Sequence, residues 1–183
     1  MTRGLVVALY KEDISWLERV PLDIKVYIYD KSDGSVPNVG RDPHTFMWHI
    51  VEHYDELDDY TCFAQGHPFD HCPKELFFEK VINSKLDYDE LGTVVFNAVG
   101  NGESGNMPLT KLYKELMGRE QFSFEFCWGM QIILSKRLIQ RRPKEFYMKI
   151  RDMAEELYKD PFMMPALERI WRTIWTDLRL ELP

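Results

Sequence analysis

The segment Tyr60-Thr61-Cys62-Phe63-Ala64-Gln65-Gly66-His67-Pro68-Phe69-Asp70-His71-Cys72 passes from a short apolar run through a glycine turn into an amide, two imidazoles and a carboxylate. Asp70 with His67 and His71 could hold a divalent ion, and oxygen-rich manganese or magnesium bridging a diphosphate suits an otherwise acidic chain. Cys62, His67, His71 and Cys72 form a competing zinc set, although their spacing matches no common zinc module. All five histidines (His44, His49, His53, His67, His71) lie in this segment or in the stretch just before it. The plainer reading is that they satisfy loop hydrogen bonds, with His49 and His53, one turn apart, flanking the buried face of a helix.

Two earlier segments carry similar chemistry. Tyr10-Lys11-Glu12-Asp13 and Asp30-Lys31-Ser32-Asp33 each follow an apolar run, and a carboxylate there can accept hydrogen bonds from a ribose or a base edge. A solvated turn is the alternative. Arg41 precedes a helix whose expected N-cap is Asp42 and whose first-turn proline is Pro43. Its guanidinium is suited to pair bidentately with a diphosphate, and the capping carboxylate leaves Arg41, rather than the helix dipole, as the anion binder. A structural salt bridge from Arg41 to Asp42 or Glu12 is the competing role. There is no Gly-x-Ser-x-Gly, and the glycines of 100–105 lack the Gly-Lys-Ser/Thr ending of a phosphate loop. Asp87-Tyr88-Asp89 spells Asp-x-Asp, but Lys85 to Glu90 reads as an exposed turn.

The elements that must position these groups alternate between strand and helix patterns. Leu5 to Tyr10 reads as a buried strand. Asp13 caps a brief helix holding Trp16 and Leu17, and Ile24, Val26 and Ile28 alternate with polar and tyrosine positions as a second strand. Two strands separated by a helix predict a parallel pair. A helix follows from Asp42 to about Leu57, with Phe46, Ile50, Val51, Tyr54 and Leu57 buried; Thr61 to Gln65 is a third strand, and Pro73 opens a helix with Phe77 and Val81. Thr93 to Val99 reads as a strand, Gly100 to Asn106 as a mobile lid, and Leu109 to Met117 as a helix stopped by Gly118. Phe122 to Phe126 and Gly129 to Leu134 are further strand candidates. Two amphipathic helices close the chain, one from Pro143 with Phe146, Ile150, Ala154 and Leu157 inward, one with the stripe Leu167, Ile170, Trp171, Ile174, Trp175 and Leu178.

With 183 residues, 45% of them hydrophobic, the chain can bury a core in one domain. A net charge of −7 argues against nucleic acid as a partner, because Lys and Arg neutralisation of phosphate dominates that binding. Three cysteines, an apolar amino-terminal run of six residues and no stretch long enough to span a bilayer predict an intracellular, soluble protein without membrane insertion. The finish at Leu182-Pro183 is compatible with the amino-terminal part of a longer protein. Oligomeric state is not legible.

Four ordered strings carry a resemblance: Val6 to Leu17 (VVALYKEDISWL), Pro37 to Thr45 (PNVGRDPHT), Phe63 to His71 (FAQGHPFDH) and Gly129 to Lys136 (GMQIILSK), continuing through Arg141-Arg142-Pro143 and Phe146-Tyr147. Together they resemble a family of fungal, bacterial and viral proteins with a glycosyltransferase-like GT-A fold, and among its members the chain is most similar to viral ones that build capsid glycans. The resemblance implies an α/β, Rossmann-like fold with a mixed, mainly parallel central sheet flanked by helices. It also implies a UDP-sugar donor, a glycan or glycoprotein acceptor, a Mn2+ or Mg2+ ion at the diphosphate and, for a viral member, the host cytoplasm. Carried over by position, the loop after the first strand (Ala8, Tyr10) and Asp30 with Lys31 would contact uridine, and Arg41 and Gln65 would lie toward the diphosphate. Asp70 would take the place of the metal-binding Asp-x-Asp, with His71 beside it. Glu125, alongside Asp70 in catalysis, and Trp128 and Gln131 on the acceptor side complete the implied site. The departure is that Gln65-Gly66-His67 stands where Asp-x-Asp is expected. Two other readings therefore stay open: a nucleotide- or glycan-binding module without turnover, and a metal-dependent hydrolase built on the His/Asp cluster.

Overall fold

A computed structural model of the chain describes residues 1–100 and 105–177. The amino-terminal apolar run forms β1 (Arg3–Leu9), buried on both faces, as a central strand of a parallel set must be. Residues 10–24 carry the chain back through a 3-10 turn at Ser15–Arg19 and deliver β2 (Lys25–Asp30), parallel to β1 with Leu9 opposite Asp30. After α1 (Arg41–His53), β3 (Tyr60–Gln65) pairs with the other side of β1, also parallel, with Ala8 opposite Gln65. The remaining elements are α2 (Lys74–Asn83), β4 (Tyr88–Glu90), β5 (Phe96–Val99), α3 (Leu109–Met117), β6 (Ser123–Phe126), β7 (Ile132–Ser135), α4 (Lys136–Ile139), α5 (Lys144–Leu157) and α6 (Met163–Thr176).

The main sheet has the order β2-β1-β3-β7-β4, and β5 with β6 makes a separate two-stranded sheet. β7 runs antiparallel to both β3 and β4, so β4 points the same way as the first three strands. The sheet is mixed, with one reversed strand. Strand order turns at β1, because β2 lies on one side and β3 on the other. That is a topological switch point, where open α/β sheets leave a crevice at the carboxyl ends.

Alternation along the strands splits the core into two layers. Val6, Ala8, Phe63, Ile132 and Leu134 face α1, α5 and α6 through Phe46, Ile50, Tyr147, Trp171 and Trp175. Leu5, Val7, Cys62, Ala64 and Ile133 face Trp16, Phe77, Phe78 and Val81. The stripe expected on the last helix is buried as read, from Leu167 to Trp175; Leu178, and most of the glycine segment expected to form a lid, lie outside the described residues.

Several local expectations are corrected. Lys85 to Glu90 is not an exposed turn, because Tyr88–Glu90 pairs with β7; Asp87 is held by Ser135 and Arg137, and Asp89 by Lys80 and Ser84. On β2 the tyrosines face inward, Tyr27 and Tyr29 lying 4.7 and 5.8 Å from the His49 ring. Val26 and Ile28 stay largely exposed, since the layer carrying Trp16 stops short of this edge strand. α1 ends at His53 rather than near Leu57. The strand read from Gly129 starts only at Ile132, because Gly129 and Met130 both have positive φ, which breaks extended pairing. On α5 it is Tyr147, not Phe146, that is fully buried.

Candidate functional site

The loop leaving β1 folds over the switch point. Lys11 takes a left-handed φ of 71°, which lets the Tyr10 N–H donate to Glu12 Oε2 at 2.5 Å. Glu12 then lies against Gly66: a Cβ on that glycine would stand 2.7 Å from Glu12 Oε2. The Trp16 indole N–H donates to the Gly66 carbonyl at 2.8 Å. Two loops far apart in sequence are thus locked together across the crevice. Ala8 is buried at its floor and Tyr10 is exposed at its mouth.

From β2, the Asp30 carboxylate accepts from the Ser32 N–H and hydroxyl at 2.8 and 2.7 Å, an Asx turn at the strand end. Lys31 turns inward. Its ammonium donates to the carbonyls of Val39 and Arg41 at 2.8 and 2.6 Å, and burial pushes its pKa down to about 8 against the pull of nearby Asp42. Lys31 is therefore a strut that fastens the 37–41 segment to the sheet. Arg41, reached through left-handed Gly40 and itself at φ 48°, is exposed; its guanidinium makes no hydrogen bond or salt bridge among the described residues.

Asp42 is not the N-cap expected from the sequence. Gly40 holds that place with no side-chain cap, and Asp42, inside the first turn, accepts from the Gln65 amide at 2.8 Å. Burial raises its carboxyl pKa, outweighing the Gln65 hydrogen bond and the charges of Lys31 and Arg41. Gln65 thus ties the end of β3 to the start of α1.

The opposite wall comes from the carboxyl half of the chain. Gln131 is buried; its carbonyl accepts from the Gln65 N–H at 3.1 Å and its amide donates to the Pro68 carbonyl at 3.0 Å. The side chain expected on the acceptor side instead shapes the loop after β3. Gly129, at φ 89°, directs its N–H to Glu168 Oε1 of α6 at 2.7 Å. Burial raises the Glu168 pKa, opposed by that N–H and by Arg169 and His71, and reinforced by Asp42. Arg41, Asp42, Gln65, Gly129 and Glu168 line one cleft of about 80 Å³. Asp42 and Glu168 were missed as site residues because one carries a capping pattern and the other sits among the core-forming positions of an amphipathic helix. The signal that pointed toward this wall was the Gly-Met-Gln string.

A second cleft of about 340 Å³ adjoins it, lined by Phe69, Asp70, His71, Phe96 and Trp128 among others. The His71 ring marks the partition, since a Cβ on Gly129 would lie 2.8 Å from it. Asp70 Oδ1 is 3.5 Å from His67 Nε2, both side chains being more than half exposed. Trp128 stands edge-on to Phe96 and Phe126 with the Arg169 guanidinium 4.8 Å from its ring. Glu125 lines neither cleft. Strand alternation in β6 turns it outward, where it is 3.6 Å from Arg172.

The histidines do not act as a cluster. His44 and His49 are buried in α1, and desolvation lowers their pKa values to about 4 and about 3. His49 bonds the Tyr29 hydroxyl at 2.9 Å. Among the described residues no group of three or more His, Cys, Asp or Glu is gathered to hold a metal ion. The zinc set dissolves accordingly: Cys62 and Cys72 are core residues whose thiols burial pushes up, while His67 and His71 are exposed. Asp70 and His71 offer at most two ligands, which fits only a hard ion that completes its shell with phosphate and water oxygens.

No helix among the described residues is long and apolar enough to cross a membrane. No curated protein and no solved structure matches the chain. Residues 5–94 match a family described as "Protein of unknown function (DUF3431)". That span runs from within β1 to beyond β4 and includes Lys31, Arg41, Asp42, Gln65 and Asp70, but stops short of Gly129 and Glu168. Over the strands that build the crevice, the chain is similar to a family whose description assigns no activity.

Proposed function

We propose that this protein is a glycosyltransferase that moves a sugar from a UDP-sugar to a glycan hydroxyl on a GT-A-like scaffold. The observation that carries the reading is Arg41: an exposed guanidinium, with no hydrogen bond or salt bridge among the described residues, at the mouth of a switch-point crevice in a chain of net charge −7. An exposed guanidinium beside two partly desolvated carboxylates, Asp42 and Glu168, supplies groups suited to hold a diphosphate and move a proton nearby. Uridine would lie between the 10–12 loop and Asp30, and the diphosphate at Arg41. Asp70 and His71 would hold a manganese or magnesium ion, which when bound would neutralise charge developing on the departing diphosphate. The exposed rings of Phe96 and Trp128 offer apolar faces for the acceptor sugar.

The test is UDP binding by thermal shift, with and without manganese, together with UDP release from a panel of UDP-sugars. Wild-type protein is expected to be stabilised by UDP and to release it from at least one donor. Arg41→Ala is expected to weaken UDP binding on the order of tenfold or more. An absence of UDP stabilisation in wild type would overturn the reading. The Gln65-Gly66-His67 string and the lack, among the described residues, of a gathered metal group favour a second reading, a binding module without turnover, for which UDP would stabilise the protein and no donor would be cleaved.

A further inference from the structure

We infer that Lys31 is a positioning residue for ligand binding: its ammonium holds the backbone turn that presents the Arg41 guanidinium to a diphosphate, an assignment that rests on the role given to Arg41 above. A lysine just after β2 reads as a ligand contact. The structure gives it another task. Lys31 is 7% exposed, and its Nζ donates to the carbonyl oxygens of Val39 and Arg41 at 2.8 and 2.6 Å. Arg41, Asp42 and Gln65 are walls of the cleft; Lys31 is not.

The turn that carries Arg41 needs holding. Gly40 and Arg41 take successive left-handed conformations, at φ 60° and 48°, and a residue with a Cβ adopts such a backbone only where its surroundings impose it. Part of that constraint is α5, since a Cβ on Gly40 would stand 2.9 Å from the Ala154 carbonyl oxygen. Within the loop between β2 and α1 the bonds are local, joining Asp30 to Ser32, Asp33 to Ser35 and the Val39 N–H to the Pro37 carbonyl. The bonds from Lys31 are different. They cross from the end of β2 to the start of α1, and the Lys31 N–H itself donates to the Leu9 carbonyl at 2.9 Å. The strut is thus rooted in β1 and reaches the residue whose guanidinium meets the ligand.

Lys31 has a second route to an anion in the cleft, because its charge is also felt at Asp42. The two routes separate in a double-mutant cycle. An effect of charge through space persists when Arg41 is gone, whereas an effect exerted by placing Arg41 disappears with it.

The experiment measures binding of UDP and of inorganic pyrophosphate by calorimetry for wild type, Lys31→Met, Arg41→Ala and the double variant, with the melting of each recorded without ligand. Lys31→Met keeps the bulk of the stem and removes both donors. It is expected to weaken both ligands about fivefold in the wild-type background and less than about twofold in the Arg41→Ala background. If Lys31→Met does not fold, the same cycle is run with Lys31→Gln, which removes the charge and shortens the reach to both carbonyls. Equal losses in the two backgrounds would overturn the assignment, and so would wild-type affinity in Lys31→Met. Wild-type protein that binds pyrophosphate but not UDP would overturn the transferase reading, while the cycle read with pyrophosphate still decides the role of Lys31. Binding of neither ligand would overturn both.

Discussion

At Lys31, burial and hydrogen bonding pull in opposite directions. The ammonium serves two carbonyls, yet desolvation dominates and its pKa falls from 10.5 to about 8. The unfolded chain therefore holds this proton over a range in which the folded chain has released it, so stability rises with pH between those two values. The cost is fully present below about 8 and gone above the unfolded pKa. Between pH 7.5 and 9.5 the wild type is expected to gain on the order of 1–2 kcal/mol relative to Lys31→Met, read by urea denaturation at each pH. A slope shared by both proteins would mean that Lys31 is not the titrating group. The residue type was legible at a strand end, but its task was not. A lysine beside two acidic residues reads as a ligand contact, and only the path of the 37–41 backbone over the sheet shows it to be a strut.

Between elements, the decisive contact is the close approach of α1 to α5. Gly40 has φ 60°, and a Cβ there would lie 2.6 Å from the His44 Cβ and 2.9 Å from the Ala154 carbonyl oxygen. Neither neighbour is the end of a flexible side chain. Gly40→Ala is expected to cost about 2–4 kcal/mol, from left-handed strain and overpacking together, measured by denaturant unfolding. It should also displace Arg41, the next residue, and so weaken UDP binding. Helix α3 shows the opposite case, in which local signals suffice: Leu109 to Met117 is helical as expected, and Gly118 ends it at φ 71°. The start of α1 was misread because Asp-Pro at a helix start is a good capping signal. The carboxylate finds Gln65 instead, a partner 23 residues away that no local rule can see.

For the whole molecule, one sheet carries unequal layers. The larger one gathers on α5 and α6, where the Trp175 ring stacks on Tyr147 at 5.8 Å and meets Trp171 edge-on. Trp175→Ala is expected to cost about 3–5 kcal/mol by urea denaturation, while Trp175→Phe should lose less because it keeps the ring against Tyr147. The amino-acid sequence by itself determined the alternation of strands and helices, the parallel start of the sheet and the apolar stripe of the last helix. Those features follow from periodicity, which is a property of neighbouring residues. It also pointed to the groups after the first three strands, because parallel strands must end on one edge. Tertiary structure alone decided which of those groups share a cleft. The placement of Glu168 in one cleft with Arg41 depends on α6 packing against the turn at Gly129, and the outward turn of Glu125 on which face β6 buries. Both are settled by packing between segments distant in the chain, so neither leaves a local mark.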